Sequence, residues 1–273
     1  PSFPGAPSCA VREGHSFPRR RWPHQRRFAG APVAVSSPQG RFTGAASLTG
    51  RVFTRASAWG KHLFHHYDGG PIVHVHLGLY GTFTEAPVPM PLPVGQVRMR
   101  LVGSQYGTDL RGPTACEVID EAQVSAILAR LGPDPLRRDA DPDLAWERIV
   151  KSRKPIGALL MDQRMLAGVG NVYRSELLFR HHIDPYRPGR DIGAGEFTEA
   201  WTDLVDLMKV GVRRGKIIVV RPEHDHGAPS YLPNRPRTYV YRRAGEPCRV
   251  CGTAVRTAEL EGRNLFWCPT CQV

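Results

Sequence analysis

The sequence predicts an α+β multidomain protein with a β-rich first half, a helical middle and a cysteine-bearing tail. Three observations carry this. Apolar residues alternate in steps of two from Pro32 to about Leu101, and they recur at helical spacing between Asp120 and Val212. Four of the six cysteines fall within the last 26 residues. The chain has 273 residues, room for two or three units with their own cores. Hydrophobic residues are 41% and charged residues 23%, near globular averages, which excludes wholesale disorder. No apolar run approaches the roughly 18 residues of a membrane span, and no apolar stretch follows the basic residues near the start to act as a secretory signal. A soluble cytoplasmic protein with no membrane partner is expected.

Taken in order, residues 1 to 11 are small, Pro-rich and without periodicity, and read as a disordered arm. In the β-rich half, Val73, Val75 and Leu77 alternate with His74 and His76, and Val97, Met99 and Leu101 with Arg98 and Arg100. Asp120 reads as a helix N-cap followed by Val124, Ile127, Leu128 and Leu131, with Gly132 and Pro133 as stop signals. Asp134 to Trp146 is an acidic, Pro-containing connection, placing a boundary after residue 133. Further helices are expected near Pro155, after Asn171, and along Phe197, Trp201, Leu204, Val205, Met208 and Val212. Arg221 to Pro236 reads as a loop, and from Thr238 short β-like pieces separate the cysteine pairs. The expected units are therefore residues 12–133, 134–234 and 235–273.

Lys and Arg number 37 against 25 Asp and Glu, a net charge of +12 that suits a polyanion. Cys248-x2-Cys251 and Cys268-x2-Cys271 lie 16 residues apart, a spacing that lets two turns converge four thiolates on one zinc ion. A closed four-sulfur site is structural, so chemistry must lie elsewhere. Arg256 and Arg263 fall between the knuckles and are placed to project from a hairpin, which makes the tip a DNA-contacting finger. The segment DQRMLAGVGNVYRSELLFRHHIDP sets Gly168 and Gly170 just before Asn171, a tight turn whose backbone N–H groups and Asn amide could cradle a phosphate at a helix start. A glycine turn between helices is more often a plain connection.

That segment, the tail GRNLFWCPTCQ and the strand ASAWGKHLFHHY together resemble the formamidopyrimidine-DNA glycosylase and endonuclease VIII family, and are closest in appearance to its actinobacterial endonuclease VIII-like members. The resemblance runs from Glu13 to Gln272. It implies an N-terminal β-sandwich and a helix-two-turns-helix domain with a zinc finger, enclosing bent DNA whose damaged nucleotide is flipped out. It implies that Lys61 contacts phosphate and carries a proton during elimination, that Asn171 binds phosphate, and that Arg263 reaches the phosphates flanking the lesion. Leu79 and Tyr80, in HLGLYG, resemble the wedge that fills the gap left by the flipped base. Without the resemblance, Lys61 reads as a solvated strand lysine and the Leu79–Tyr80 pair as strand-end packing. His62, His65 and His66 read as exposed strand histidines with no matching carboxylate.

Family chains open Pro-Glu-Gly, where the proline amine attacks C1′ and the Glu serves as acid and base. Here Arg12-Glu13-Gly14-His15 stands in that place, so Glu13 is retained while Arg12 offers only a peptide nitrogen. Pro18 and Pro23 interrupt the stretch where the family places its first helix. From His24 onward the resemblance resumes.

The resemblance implies a bifunctional glycosylase and abasic-site lyase of base-excision repair, favouring oxidised pyrimidines. The implied protein is a monomer acting on double-stranded DNA with damaged bases or abasic sites, nucleoid-associated in a bacterium. One structural zinc and no organic cofactor are expected. The alternative is a zinc-finger DNA-binding protein that recognises lesions without catalysis, because the proline before Glu13 is missing. An RNA-binding zinc protein ranks last.

Overall fold

A computed structural model describes residues 23–78, 80–225 and 236–273. Glu13, Arg12, Pro18, the expected arm and Leu79 lie outside the described residues. The chain enters through a helix, α1, over residues 23–28. Pro23 is itself helical, and its carbonyl side continues the helix through residue 28.

Nine strands follow in this half of the described chain: β1 (Ala31–Pro32), β2 (Ala34–Ser36), β3 (Val52–Trp59), β4 (His62–Tyr67), β5 (Ile72–His76), β6 (Thr82–Pro87), β7 (Val97–Val102), β8 (Tyr106–Arg111) and β9 (Ala115–Ile119). They form two antiparallel sheets, ordered β1-β3-β4-β5-β9 and β2-β7-β8-β6. Phe53, Leu63, Val73 and Val75 of the first sheet meet Val35, Met99, Leu101 and Leu110 of the second in one core, the sandwich that the family resemblance implies.

The first sheet is also buried on its other face. Helix α2 (Glu121–Leu128) starts from a capping box in which Asp120 accepts from Gln123 N and Gln123 Oε1 accepts from Asp120 N. It lays Val124 on Phe64, Ile72 and Ile119. This corrects the expectation of exposed histidines. His65 is wholly buried, His66 almost so and His62 half-buried. Carboxylates are also at hand: Glu121 lies 3.6 Å from His66, and Glu117 is 2.9 Å from His74. An alternating pattern reports one buried face, and the second is supplied by a helix some 55 residues later in the chain.

The helical part comprises α3 (Pro142–Val150), α4 (Ile156–Leu159), α5 (Asn171–Arg180) and α6 (Ala194–Arg214). Asp141 caps α3 with Pro142 at its first position, and Gly215 ends α6 in the left-handed conformation. Phe197, Leu204 and Met208 of α6 pack on Ile156, Leu159 and Leu177. The same core takes in Tyr239, Val240, Val255, Phe266 and Cys268 of the tail, so helices and tail bury a common apolar surface. Glu176 of α5 reinforces the junction. Wholly buried, its carboxylate accepts backbone N–H bonds from Tyr239, Val240 and Tyr241 at 2.6, 2.9 and 2.7 Å. The tail's hairpin is β10 (Arg256–Leu260) and β11 (Arg263–Trp267). Its two-residue turn, Glu261-Gly262, has both φ angles positive, 50° and 68°, as a type I′ turn requires. No described helix is long and apolar enough to cross a membrane.

Candidate nucleic-acid interface

The sandwich, the helices and the finger converge at the turn between β3 and β4. Gly60 has φ +54°, and a Cβ there would meet Ala167 and the backbone of Gly168 at 3.0 Å, so this turn touches the GVGN turn directly. Gly60 N–H donates to the buried carboxylate of Asp134 at 2.8 Å, and Trp59 Nε1 donates to Gly132 O at 3.2 Å. The next residue, Lys61, donates from Nζ to the carbonyl of Val169 at 2.8 Å. Gln163 braces the same turn: its Nε2 donates to Val169 O at 2.9 Å and its Oε1 accepts from Gly168 N–H at 2.9 Å.

Asn171 opens α5 and reaches the finger. Its Nδ2 donates to Asn264 O at 2.8 Å, and its Oδ1 accepts from the buried Arg174 guanidinium, which also donates to Asn264 O. Thus the Gly168 N–H and the Asn171 amide, expected as a phosphate cradle, also make bonds within the protein, Gly168 to Gln163 and Asn171 to the finger.

A cleft of about 690 Å³ opens beside this joint. The sandwich contributes Lys61, His76 and Tyr80, the helical part Lys154 and Arg164, and the finger tip Arg263. Tyr80 is 81% exposed, a large aromatic ring held in solvent at the rim. Lys61, Lys154, Arg164 and Arg263 carry positive charge, the sign that a phosphate backbone requires, while Asp162 of the same lining pairs with Arg164 at 2.7 Å. Glu261 at the hairpin turn pairs with Lys154 at 3.2 Å across the cleft. Arg256 is exposed on the other strand of the hairpin and is not among the lining residues. Burial and the neighbouring His74 and Lys61 push the His76 pKa below the usual imidazole range.

Sequence reasoning missed His76, Gln163, Lys154 and Arg164. His76 was absorbed into the strand alternation. Its signal was position, two residues before the glycine that starts the LYG turn.

At the far end of the finger, Cys248, Cys251, Cys268 and Cys271 bring their sulfurs within 4.8 Å of one another. Cys251 and Cys268 are 3.4 Å apart, and Cys248 and Cys271 are 3.9 Å apart. A tetrahedral site with 2.3 Å Zn–S bonds has an edge of about 3.8 Å, so this donor set fits one structural zinc ion.

Sandwich, helical domain and four-cysteine finger around a basic cleft define a DNA glycosylase of the type whose parts three family models describe. The formamidopyrimidine-DNA glycosylase N-terminal domain matches residues 24–115, its H2TH domain residues 131–222, and the zinc finger found in FPG and IleRS residues 245–273. The chain belongs to the formamidopyrimidine-DNA glycosylase and endonuclease VIII family of base-excision repair. Within it, the chain is 74% identical over 265 residues to Endonuclease 8 1 of Mycobacterium tuberculosis, covering 95% of this chain and 99% of that protein. It is 32% identical over 239 residues to the formamidopyrimidine-DNA glycosylase of Thermus thermophilus, covering 85% and 86%. The fold matches Lactococcus lactis Fpg in complex with abasic-site DNA at a TM-score of 0.79, with 20% identity over 95% of this chain and 99% of that one.

Proposed function

We propose that this chain excises oxidised bases from double-stranded DNA, pyrimidines in preference to purines, and then cleaves the strand at the abasic site. One observation carries the reading: Lys61 and Tyr80 of the sandwich and Arg263 of the finger line one cleft, with Asn171 tying the helical turn to the finger beside it. Lys61 and Arg263 hold phosphates flanking the lesion and neutralise charge that develops as the strand breaks. Asn171, Gly168 and Gly170 set the turn against which the backbone rests. Tyr80, with Leu79, fills the gap left by the flipped nucleotide, replacing lost base stacking with ring contact. Glu13 is the acid and base at the sugar, a role that rests on the family resemblance.

The partner is duplex DNA containing damaged bases or abasic sites, bound by a monomer at the nucleoid. Zinc held by Cys248, Cys251, Cys268 and Cys271 supplies a structural staple and no reaction step. Non-catalytic lesion recognition is not favoured, because relatives aligned along nearly the whole chain bear the names of enzymes.

The test is borohydride trapping on duplexes carrying thymine glycol, 8-oxoguanine or a preformed abasic site. Base release and strand cleavage should be greater with thymine glycol than with 8-oxoguanine, and any trapped adduct identifies an amine acting in place of the proline that Arg12 replaces. Equal or reversed yields overturn the pyrimidine preference, and no adduct or cleavage with any duplex overturns the catalytic reading.

A further inference from the structure

The histidines of the first sheet form a connected line that ends at the cleft. His62 and His76 are direct cross-strand partners, their ring centroids 4.9 Å apart. His62 lies nearly coplanar with His74, ring planes within 14° and centroids 5.1 Å apart, and its Nδ1 is 2.8 Å from His74 Nε2. His74 in turn places Nδ1 2.9 Å from Glu117 Oε1, on the paired residue of β9. Glu117 is more than half exposed at the sheet's far edge, whereas His74 is nearly fully buried. His76 alone of the three rings lines the cleft.

Hydrogen-bond chemistry makes this line directional. A carboxylate only accepts, so the nitrogen of His74 facing Glu117 carries the hydrogen. Where each ring holds a single hydrogen, His74 Nε2 is then an acceptor, and His62 must donate to it from Nδ1. That leaves His62 Nε2 as a lone pair, with Lys61 and Arg130 among the positive charges that act on the ring. Lys and Arg offer no acceptor, so in the opposite tautomer His76 is the one named neighbour able to receive the His62 Nε2 hydrogen. Burial and these same positive neighbours push the His62 pKa down to about 3, which keeps the ring neutral.

We propose that Glu117, His74 and His62 form a positioning relay that fixes the tautomer of His62 and thereby the orientation in which its neighbour His76 meets DNA. The relay rests on the cleft being the DNA site. None of its three members need touch the nucleic acid. Glu117 acts through His74, and His74 through His62.

Charge and relay predict opposite signs for one substitution, which makes the test sharp. Removing an exposed carboxylate from a cationic protein should strengthen DNA binding if only long-range charge matters. The relay predicts that Glu117→Ala weakens affinity for an abasic-analogue duplex about two- to tenfold, the range of one hydrogen bond. Glu117→Gln also removes the charge, but keeps an oxygen that can accept from His74, and should bind at least as well as the parent. In a His76→Ala background, Glu117→Ala should no longer weaken binding, since the residue through which it acts is gone. Nitrogen-15 spectra of the imidazoles at pH 8 should show His62 Nδ1 protonated in the parent and the preference lost in Glu117→Ala. The proposal is overturned if Glu117→Ala binds as tightly as Glu117→Gln, if its effect survives in the His76→Ala background, or if the His62 tautomer is unmoved. If His76→Ala itself leaves DNA affinity unchanged, the assignment of the cleft as the DNA site fails, and the relay's function with it.

Discussion

Lys61 shows how a single side chain acquires a role from a distant turn. The turn between β3 and β4 presents it at the sandwich edge, and the Val169 carbonyl fixes its ammonium at 2.8 Å. Lys61, Asn171 and Arg263 were legible in the sequence through the motifs around them. The Val169 acceptor was not, because a backbone carbonyl has no residue identity to read. If Lys61 and Arg263 each neutralise one phosphate, replacing either by Ala should weaken duplex binding and reduce the slope of log affinity against log salt by about 0.9. Tyr80→Ala should behave differently: affinity for a duplex with an abasic analogue falls while the slope is unchanged, because an uncharged wedge releases no counterion. Binding isotherms at several salt concentrations check both, and an unaltered slope in Lys61→Ala and Arg263→Ala would remove them from the phosphate contacts.

Strand β4 carries a consequence that belongs to the element rather than to one residue. Its sequence, HLFHHY, predicts a strand, and that much was legible; the burial of both its faces was not, since α2 closes the second face through tertiary packing. His65 lies against Phe53 and Phe83 in the sandwich core, where its Nε2 is 3.0 Å from His24 Nδ1 of α1. Burial and the neighbouring His66 push its pKa down to about 3, and burial with Arg55 pushes that of His66 to about 4. Depressed folded-state values mean that the unfolded chain binds more protons across the window from about 6.5 down to these values. Stability from keeping the rings neutral is therefore full above pH 6.5 and is lost as pH falls, at about 1.4 kcal/mol per pH unit for each ring. Urea midpoints between pH 8 and 5 should fall on the acid side, and His65→Phe should flatten part of the fall. A midpoint independent of pH in that range would contradict buried neutral rings.

At the scale of the whole molecule, the finger is less separate than the cysteine spacing suggests. Four thiols at fixed intervals made the metal site legible, and the helical stripes made the bundle legible, but no sequence pattern says that Val255, Phe266 and Cys268 share a core with α5 and α6. Nor does any pattern announce Glu176, whose carboxylate collects three N–H groups of residues 239 to 241 and so binds the approach to the finger into the helices. Zinc removal should consequently reach beyond the tail. An isolated finger would lose only its own fold, whereas here release of Cys248 and Cys268 opens apolar surface on α5 and frees Asn264, the backbone partner of Asn171 and Arg174. A strong chelator, or Cys268→Ser, should lower the melting temperature of the whole helical part and speed amide exchange in α5, while the sandwich strands keep their protection. Metal analysis of the parent should give one zinc per chain, and DNA affinity should fall with zinc occupancy because Arg263 rides on the hairpin. Exchange confined to residues after 245 on chelation, with α5 unchanged, would show that the shared core does not transmit the loss.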